Sequence, residues 1–206
     1  MTRSHEIDAL LERLAQTLRG RVRQQGAPAD HPAVPAAVLV LLVPRGDDLA
    51  LVLTRRPESL KTHAGQVAFP GGRKGPEDTD AVSCALRETR EELGIDPAAV
   101  EVLGLLDDVF TPTGFVVTPV VGVLRVPQAY RPSPEEVAET YEVSLRELQD
   151  PARYRNAGVF VSGGVEYALH EYHCEACVVW GATARMVHQL LDVWKVVLEE
   201  DRSQDG

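Results

Sequence analysis

The chain has 206 residues, of which 44% are hydrophobic and 25% are charged, and it carries a net charge of −10. This apolar content suits one domain with a substantial core, and it excludes an intrinsically disordered chain. The acidic balance argues against duplex nucleic acid or an anionic membrane as a partner, since both need a broad basic surface. Small phosphorylated ligands remain compatible with it.

The chain shows no sign of a membrane span or a signal peptide. Its longest uninterrupted apolar run, residues 36–43, is far shorter than the roughly 20 residues that a membrane helix needs. The N-terminal residues lead into a charged helix and lack the apolar core of a signal peptide. Three cysteines, an odd number, fit a reducing compartment better than a disulfide framework. We therefore expect a cytoplasmic protein.

The first predicted element is an amphipathic helix that ends near Gly20 or Gly26. Its apolar positions recur at helical spacing: Ile7, Leu10, Leu11, Leu14 and Leu18. Residues 27–32 have the composition of a linker. The sequence thus predicts one domain over residues 1–206, in which residues 1–32 form an N-terminal helix and linker extension.

The rest of the chain mixes predicted strands with helices. The apolar run before Pro44 predicts a buried strand, and residues 45–48 predict a turn into a second strand over 49–54. The later predicted elements are strands at 100–106 and 115–126, a strand or turn at 134–139, a helical turn at 144–148 capped by Ser144, strands within 158–179 around a Gly163-Gly164 turn, and a long helix over 182–199. This order predicts an α/β (α+β) sandwich with a mixed sheet between helical layers, although several α+β folds share the pattern.

A cluster of carboxylates on one predicted helix is the main functional signal. Glu88, Glu91 and Glu92 are three and four residues apart, so they lie on neighbouring ridges of a helix, where like charges repel. A divalent cation would offset this repulsion, and carboxylate oxygens suit Mg²⁺ or Mn²⁺. The alternative is a solvated helix surface on which Arg87 pairs with Glu91. Gly94 is placed to provide a left-handed C-cap.

A cationic stretch precedes this helix. Residues 55–74 carry five cationic side chains and one carboxylate, a local charge of +4 in an acidic chain. Arginine and lysine are suited to phosphate oxygens, so the stretch indicates a phosphate-rich ligand. The alternative is scattered surface charge on a loop. Taken alone, His63 is more typical of a surface or hydrogen-bonded histidine than of a catalytic one.

Two motifs in this region resemble those of a known family. Residues 71–95 resemble the signature of Nudix hydrolases, although Asp78 replaces a glutamate and one extra residue separates it from Arg87. Residues 53–72 are similar to the motif of the coenzyme A diphosphatase subgroup of that family. Residues 111–122 and 180–184 also resemble parts of the subgroup, so the similarity extends over about residues 38–191.

The resemblance implies the Nudix fold, an α/β/α sandwich, and Mg²⁺- or Mn²⁺-dependent hydrolysis of coenzyme A or its thioesters. The products would be 3′-phosphoadenosine 5′-phosphate and (acyl-)4′-phosphopantetheine. It implies Glu88 and Glu92 as metal ligands, Glu91 as a third carboxylate, and Arg87 as the residue that orients Glu91. The substrate-binding candidates are Arg55, Lys61, His63, Gln66, Gly71, Gly72 and Arg73.

Other functions remain open at this point. The chain could hydrolyse another nucleoside diphosphate derivative, such as ADP-ribose, NADH or a dinucleoside polyphosphate. It could also be a non-catalytic domain that binds nucleotides. The sequence leaves open the identity of the general base and whether the chain forms a homodimer.

The remaining motif is Cys174-x-x-Cys177, which follows His170 and His173. Such a pair can bind zinc or exchange disulfides, but a structural zinc site needs four ligands and redox pairs usually open a helix. The favoured interpretation is two small residues within a β-strand. Cys84 is expected to be buried on the helix that carries Glu88.

Overall fold

The computed structural model describes residues 3–26, 33–59, 64–126, 128–162 and 165–204. The helices are α1 (Arg3–Gly20), α2 (Ala81–Leu93), α3 (Leu145–Leu148) and α4 (Gly181–Gln204), with a 3-10 helix at Pro97–Ala99. The strands are β1 (Val34–Arg45), β2 (Asp48–Arg55), β3 (Val67–Ala68), β4 (Gly71–Arg73), β5 (Glu101–Leu105), β6 (Val109–Phe110), β7 (Phe115–Val123), β8 (Glu139–Ser144), β9 (Tyr154–Ser162), β10 (Val165–His173) and β11 (Val178–Trp180).

The main sheet has eight strands and is mixed. Its central order is β3-β2-β1-β7-β5, while β4, β6 and β8 pair with β1, β7 and β2. Strands β1 and β7 are parallel, and the other pairings in this sheet are antiparallel. The predicted hairpin is confirmed, because Arg45 pairs with Asp48 at the turn between β1 and β2.

Strand β1 is buried on both faces, and this places helices on both sides of the sheet. Leu39 and Leu41 belong to the core beneath α2, whereas Val40 and Leu42 belong to the core beneath α1 and α4. Successive side chains of a strand point to opposite faces, so one apolar run contributes to both cores. The predicted sandwich with a central mixed sheet is confirmed.

Helix α1 packs on this sheet through the residues that predicted it. Leu11, Leu14 and Leu18 are buried, and a Cβ atom on Gly104 would lie 2.6 Å from the Leu18 Cβ atom. The absence of a side chain on β5 at this point lets the helix approach closely. The predicted linker at 27–32 lies outside the described residues.

The C-terminal part forms a second sheet and the long helix. Strands β9, β10 and β11 make an antiparallel sheet in the order β11-β10-β9. The predicted long helix is confirmed as α4 and the capped turn as α3, where the Ser144 side chain accepts from the Glu147 amide. The predicted Gly163-Gly164 turn lies outside the described residues. No helix in the described ranges is both long and apolar enough to cross a membrane.

The prediction that Cys174 and Cys177 lie within a strand is wrong. His173 pairs with Val178 across β10 and β11, and the Cys174 amide donates to the Cys177 carbonyl at 3.0 Å. The two cysteines therefore flank a two-residue turn. Glu175 and Ala176, which form this turn, are not typical turn residues, so the sequence contains no signal for it.

Candidate active site

The glycine pair at β4 brings the start of the acidic motif against the sheet. Gly71 has φ +151°, and a Cβ atom on it would lie 2.4 Å from the Ala37 carbonyl oxygen of β1. A Cβ atom on Gly72 would lie 2.6 Å from the carboxyl carbon of Glu88. The first glycine is thus required for strand pairing, and the second leaves room for a carboxylate of α2.

Helix α2, which carries the glutamates, begins and ends at defined caps. The Asp80 side chain accepts from the Ser83 amide at 2.8 Å, and the Ser83 hydroxyl accepts from the Asp80 amide at 3.0 Å. Gly94 has φ 67°, and its amide donates to the Arg90 carbonyl. The predicted C-cap is confirmed. Cys84 is fully buried on this helix, as expected.

Arg87 holds the acidic residues near the first half of α2. Its Nε and Nη2 atoms donate to the two carboxylate oxygens of Asp78 at 3.0 and 2.9 Å. The same guanidinium contacts Glu88 at 2.9 Å and Glu91 at 2.9 Å, so the predicted Arg87–Glu91 pair is confirmed. Arg87 and the Gly75 amide lower the pKa of Asp78 to about 2, against the desolvation that burial causes.

Asp78 therefore contacts Arg87 although the connection between the two residues is one residue longer than in the usual signature. Its amide donates to the Gly75 carbonyl in a turn, and its carboxylate accepts from the Gly75 amide at 2.7 Å. This turn accommodates the longer connection before the cap at Asp80. The side chain of Asp78 is 2% exposed, so it acts as a buried anchor for Arg87.

The surroundings of Glu92 raise the pKa of its carboxyl group, whereas those of Asp78 lower it. The residue is 6% exposed, and its Oε2 atom has no hydrogen-bond partner within the described part of the chain. Burial raises the pKa of Glu92 to about 8, and Glu88 and Glu136 add to this effect, whereas Arg56 and the Gly71 amide oppose it. A buried carboxylate oxygen without a donor is costly, so the site is suited to a cation.

Glu88 and Glu136 complete the acidic cluster around Glu92. Burial raises the pKa of Glu88, and this is opposed by Arg87 and reinforced by Glu91 and Glu136. The sequence did not indicate Glu136 as a site residue. Glu136 lies three residues after Ser133, whose amide donates to the Glu92 carbonyl at 2.9 Å. Two adjacent glutamates before a buried valine were the only available signal, and it is a weak one.

Glu91, the third glutamate of α2, lies at the protein surface. The Glu91 side chain is 53% exposed and is paired with Arg87. The interpretation as a solvated helix surface therefore suits Glu91, but it does not suit the buried Glu92. Within the described ranges, no three histidine, cysteine, aspartate or glutamate side chains converge as closely as metal ligands do.

The two consecutive arginines at the end of β2 point to different surroundings. Arg55 donates to Glu139 at 3.0 and 3.2 Å and to the Tyr141 hydroxyl at 3.1 Å, both on β8. Arg56 instead lies near enough to Glu92 to lower the pKa of that carboxyl, and its buried Nε atom has no partner among the described residues. Sequence reasoning selected Arg55 and missed Arg56, because the alternation of side chains at a strand end depends on pairing.

The other substrate-binding candidates lie along the segment between β2 and β4. The Arg56 amide donates to the Gln66 carbonyl at 3.1 Å, and the Gly65 amide donates to the Arg56 carbonyl at 3.2 Å. The segment therefore leaves and returns next to the acidic cluster. Lys61 and His63 lie outside the described residues. The Arg73 side chain is exposed at the end of β4.

Comparison with known proteins identifies the family of the chain from its sequence. A sequence model of the Nudix domain matches residues 33–162. Proteins described as the uncharacterized Nudix hydrolase NudL, from Shigella flexneri serotype 5b and from Escherichia coli K12, are each 38% identical over 188 residues. These alignments cover 91% of this chain and 94% of each relative.

A solved structure agrees at the level of the fold. A MutT/nudix family protein from Enterococcus faecalis superposes with a TM-score of 0.50 at 17% sequence identity, over 82% of this chain and 64% of that chain. The family model and the relatives match the segment that holds Glu88, Glu92 and the glycine pair. The chain therefore belongs to the Nudix family, as a hydrolase of nucleoside diphosphate derivatives.

Proposed function

We propose that this Nudix hydrolase cleaves the diphosphate bond of coenzyme A or its thioesters. The products are 3′-phosphoadenosine 5′-phosphate and 4′-phosphopantetheine or its acyl derivative. The observation that carries the proposal is the position of the cationic segment. This segment resembles the coenzyme A diphosphatase motif, and two backbone hydrogen bonds, from Arg56 to Gln66 and from Gly65 to Arg56, close its first part beside Glu92.

The acidic cluster supports a metal-dependent reaction. Nudix hydrolases generally use divalent ions such as Mg²⁺ or Mn²⁺, and the donor set here suits such an ion, because Glu92 presents a buried oxygen without a donor. Glu88 and Glu92 would hold the ion, with Glu91 as a third carboxylate. When bound, it would neutralise charge on the diphosphate and acidify an attacking water.

The protein's own residues then have distinct tasks. Arg56 adds positive charge beside the carboxylates, where it can bind a phosphate oxygen. Arg87 holds Glu88 and Glu91 in place, and Asp78 fixes Arg87 through two hydrogen bonds. Gly72 leaves the space that the Glu88 carboxylate occupies. Each of these tasks positions charge, which is the main contribution of a protein to phosphoryl transfer.

The remaining candidates would contact the phosphate groups of the ligand. Arg55, Lys61 and His63 are candidates for the 3′-phosphate, and Gln66, Gly71 and Arg73 for the diphosphate. Arg55 would have to exchange its bonds with Glu139 and Tyr141 for bonds to the ligand. We place this reaction in the cytoplasm, in keeping with three cysteines that are not joined in disulfides.

Product analysis tests the substrate directly. Purified protein with Mg²⁺ or Mn²⁺ is incubated separately with coenzyme A, ADP-ribose, NADH and a dinucleoside polyphosphate, and the products are separated by chromatography. We expect the highest kcat/KM with coenzyme A and release of 3′-phosphoadenosine 5′-phosphate. A clear preference for one of the other three would support the second candidate, a Nudix hydrolase of another nucleoside diphosphate derivative. Dephospho-coenzyme A, which lacks the 3′-phosphate, is the matched control.

A further inference from the structure

We propose that Cys174 and Cys177 form a redox-active dithiol, which small-molecule disulfides oxidise to a reversible disulfide within the β10–β11 hairpin. This modification site is separate from the hydrolase site, and it does not depend on the identity of the nucleotide substrate. It rests on the position of the two cysteines in the hairpin, on their unequal burial and on the contacts that hold the turn.

The hairpin places the two cysteines directly opposite each other. His173 pairs with Val178, and the Cys174 amide donates to the Cys177 carbonyl one position further along. Residues opposite each other in a hydrogen-bonded antiparallel pair have Cα atoms about 5.5 Å apart and side chains on the same face. Disulfides typically join Cα atoms at about this separation. Both cysteines pack against the same core cluster.

Contacts with neighbouring elements hold the turn between the two cysteines in this arrangement. The Glu175 amide donates to the Glu147 side chain at 2.6 Å, and Arg153 pairs with Glu175 at 2.9 Å. The His173 amide donates to the Arg153 carbonyl at 2.8 Å. These contacts come from α3 and the start of β9, so the cysteines are positioned by neighbouring elements before any bond forms.

The two thiols are unequal, and this sets the order of the reaction. Cys177 is partly exposed, whereas Cys174 is buried. The neighbouring Cys174 lowers the pKa of the Cys177 thiol, and the pKa of Cys174 is raised by Cys177 and by burial. A thiolate is the attacking species in disulfide exchange, so Cys177 attacks first and Cys174 resolves the intermediate.

The exchange consumes one disulfide and needs no other reactant. The Cys177 thiolate attacks one sulfur of glutathione disulfide, which releases one glutathione thiolate and leaves a mixed disulfide. The Cys174 thiol then loses its proton and displaces the second glutathione. The protein loses two electrons and two protons, and the oxidant becomes two thiols. Because the closed loop is very short, the bond restricts the unfolded chain little and is easily reduced.

Peptide mapping of the wild-type protein tests the proposal. The folded protein is incubated with glutathione disulfide, denatured, alkylated with iodoacetamide and digested with trypsin. Cys174 and Cys177 share the fragment 156–185, whereas Cys84 lies in a different fragment. We expect the 156–185 fragment to be two hydrogens lighter and unalkylated, and to become doubly alkylated after dithiothreitol. Full alkylation of both cysteines, or a glutathione adduct that persists, would overturn the proposal.

Two serine variants test the order of attack. Cys174→Ser should accumulate a stable glutathione adduct on Cys177, since the resolving thiol is absent. Cys177→Ser should form an adduct at least about tenfold more slowly, because its remaining thiol is buried. Equal rates in the two variants would contradict the assigned roles. The wild-type fragment keeps the test valid if a variant does not fold.

Discussion

Two carboxylates are buried among the described residues, and they are compensated in opposite ways. Asp78 receives two hydrogen bonds from Arg87 and one from the Gly75 amide, and its pKa falls to about 2. Glu92 keeps one oxygen without a donor, lies near Glu88 and Glu136, and has its pKa raised to about 8. Asp78 lies just before the N-cap of α2 and Glu92 lies in its last turn, and Arg87 donates hydrogen bonds to Asp78.

The comparison separates a structural carboxylate, Asp78, from Glu92, to which we assign a functional role in our proposal. A buried charge whose partners are all present stabilises the arrangement around it, whereas removal of one partner is costly. A buried carboxylate without a donor is unfavourable unless something else supplies positive charge. The fold therefore fixes one end of the motif with Asp78 and Arg87, and it leaves the other end prepared for a ligand.

The largest expected effect is that of Glu92→Gln. Glutamine keeps the size of the side chain but removes the charge that we assign to metal binding, so kcat should fall by roughly 10²–10³-fold. The free energy of unfolding without metal should change little near neutral pH, since the raised pKa of Glu92 keeps this carboxyl mostly protonated and glutamine is a neutral side chain of similar size. Steady-state kinetics at saturating Mg²⁺ and urea unfolding measure the two quantities.

Glu91→Gln is the matched control on the same helix. Glu91 is half exposed and paired with Arg87, so its replacement should reduce kcat much less than Glu92→Gln. Equal losses in the two variants would contradict the distinction between the buried and the exposed carboxylate. Near-normal turnover of Glu92→Gln would remove Glu92 from the metal site altogether.

Asp78→Asn should act on stability before it acts on catalysis. The pKa of Asp78 is lowered from 3.8 to about 2, which corresponds to about 2 kcal/mol of the free energy of unfolding near neutral pH. Because the folded-state pKa is depressed, this contribution is present above about pH 4 and is lost as the pH falls through about 2. Urea unfolding of both proteins across this range should show the difference shrinking towards low pH. A constant difference would contradict it.

Gly72→Ala should reduce activity by roughly tenfold with little effect on folding. The new methyl group would meet the Glu88 carboxylate at 2.6 Å, and this flexible side chain can move aside at low cost. Its displacement removes one proposed metal ligand from its place. Gly20→Ala, where the new Cβ atom has open space around it, is the control. Metal titration should show weaker binding for Gly72→Ala alone.

The smallest effect distinguishes Arg55, the last residue of β2, from Arg56, which follows it. Arg56→Gln removes positive charge beside Glu92 and should lower kcat/KM by about tenfold. Arg55→Gln removes the same charge but breaks bonds to Glu139, which are exposed, and to Tyr141, which is partly buried, so its effect should be less than about threefold. The reverse order would show that Arg55 leaves Glu139 to bind the substrate.

The sequence predicted the elements whose signals are local. Gly94 ends α2 in the left-handed conformation that only glycine adopts easily. The apolar run in β1 and the turn after Arg45 predicted a hairpin, because their hydrophobicity and turn residues act within a few positions. The pairing of Arg87 with Glu91 followed from helical spacing alone.

The features that the sequence did not reveal depend on contacts between distant segments. The choice between Arg55 and Arg56 is decided by the pairing of β2 with β3 and β8. Glu136 approaches Glu92 because a distant turn hydrogen-bonds to the end of α2. The position of Cys174 depends on the register of β10 and β11, which the alternation of residues in the two strands leaves undetermined.

The hydrogen bonds between Arg56, Gly65 and Gln66 close the intervening loop at its own base. A loop that is closed in this way can vary in length and composition without disturbing the strands on either side of it. Ligand choice could therefore diversify among related chains while the hydrolytic apparatus stays constant. If the loop binds the substrate as we propose, grafting it between two family members should transfer the nucleotide preference and leave the cation requirement of the recipient unchanged.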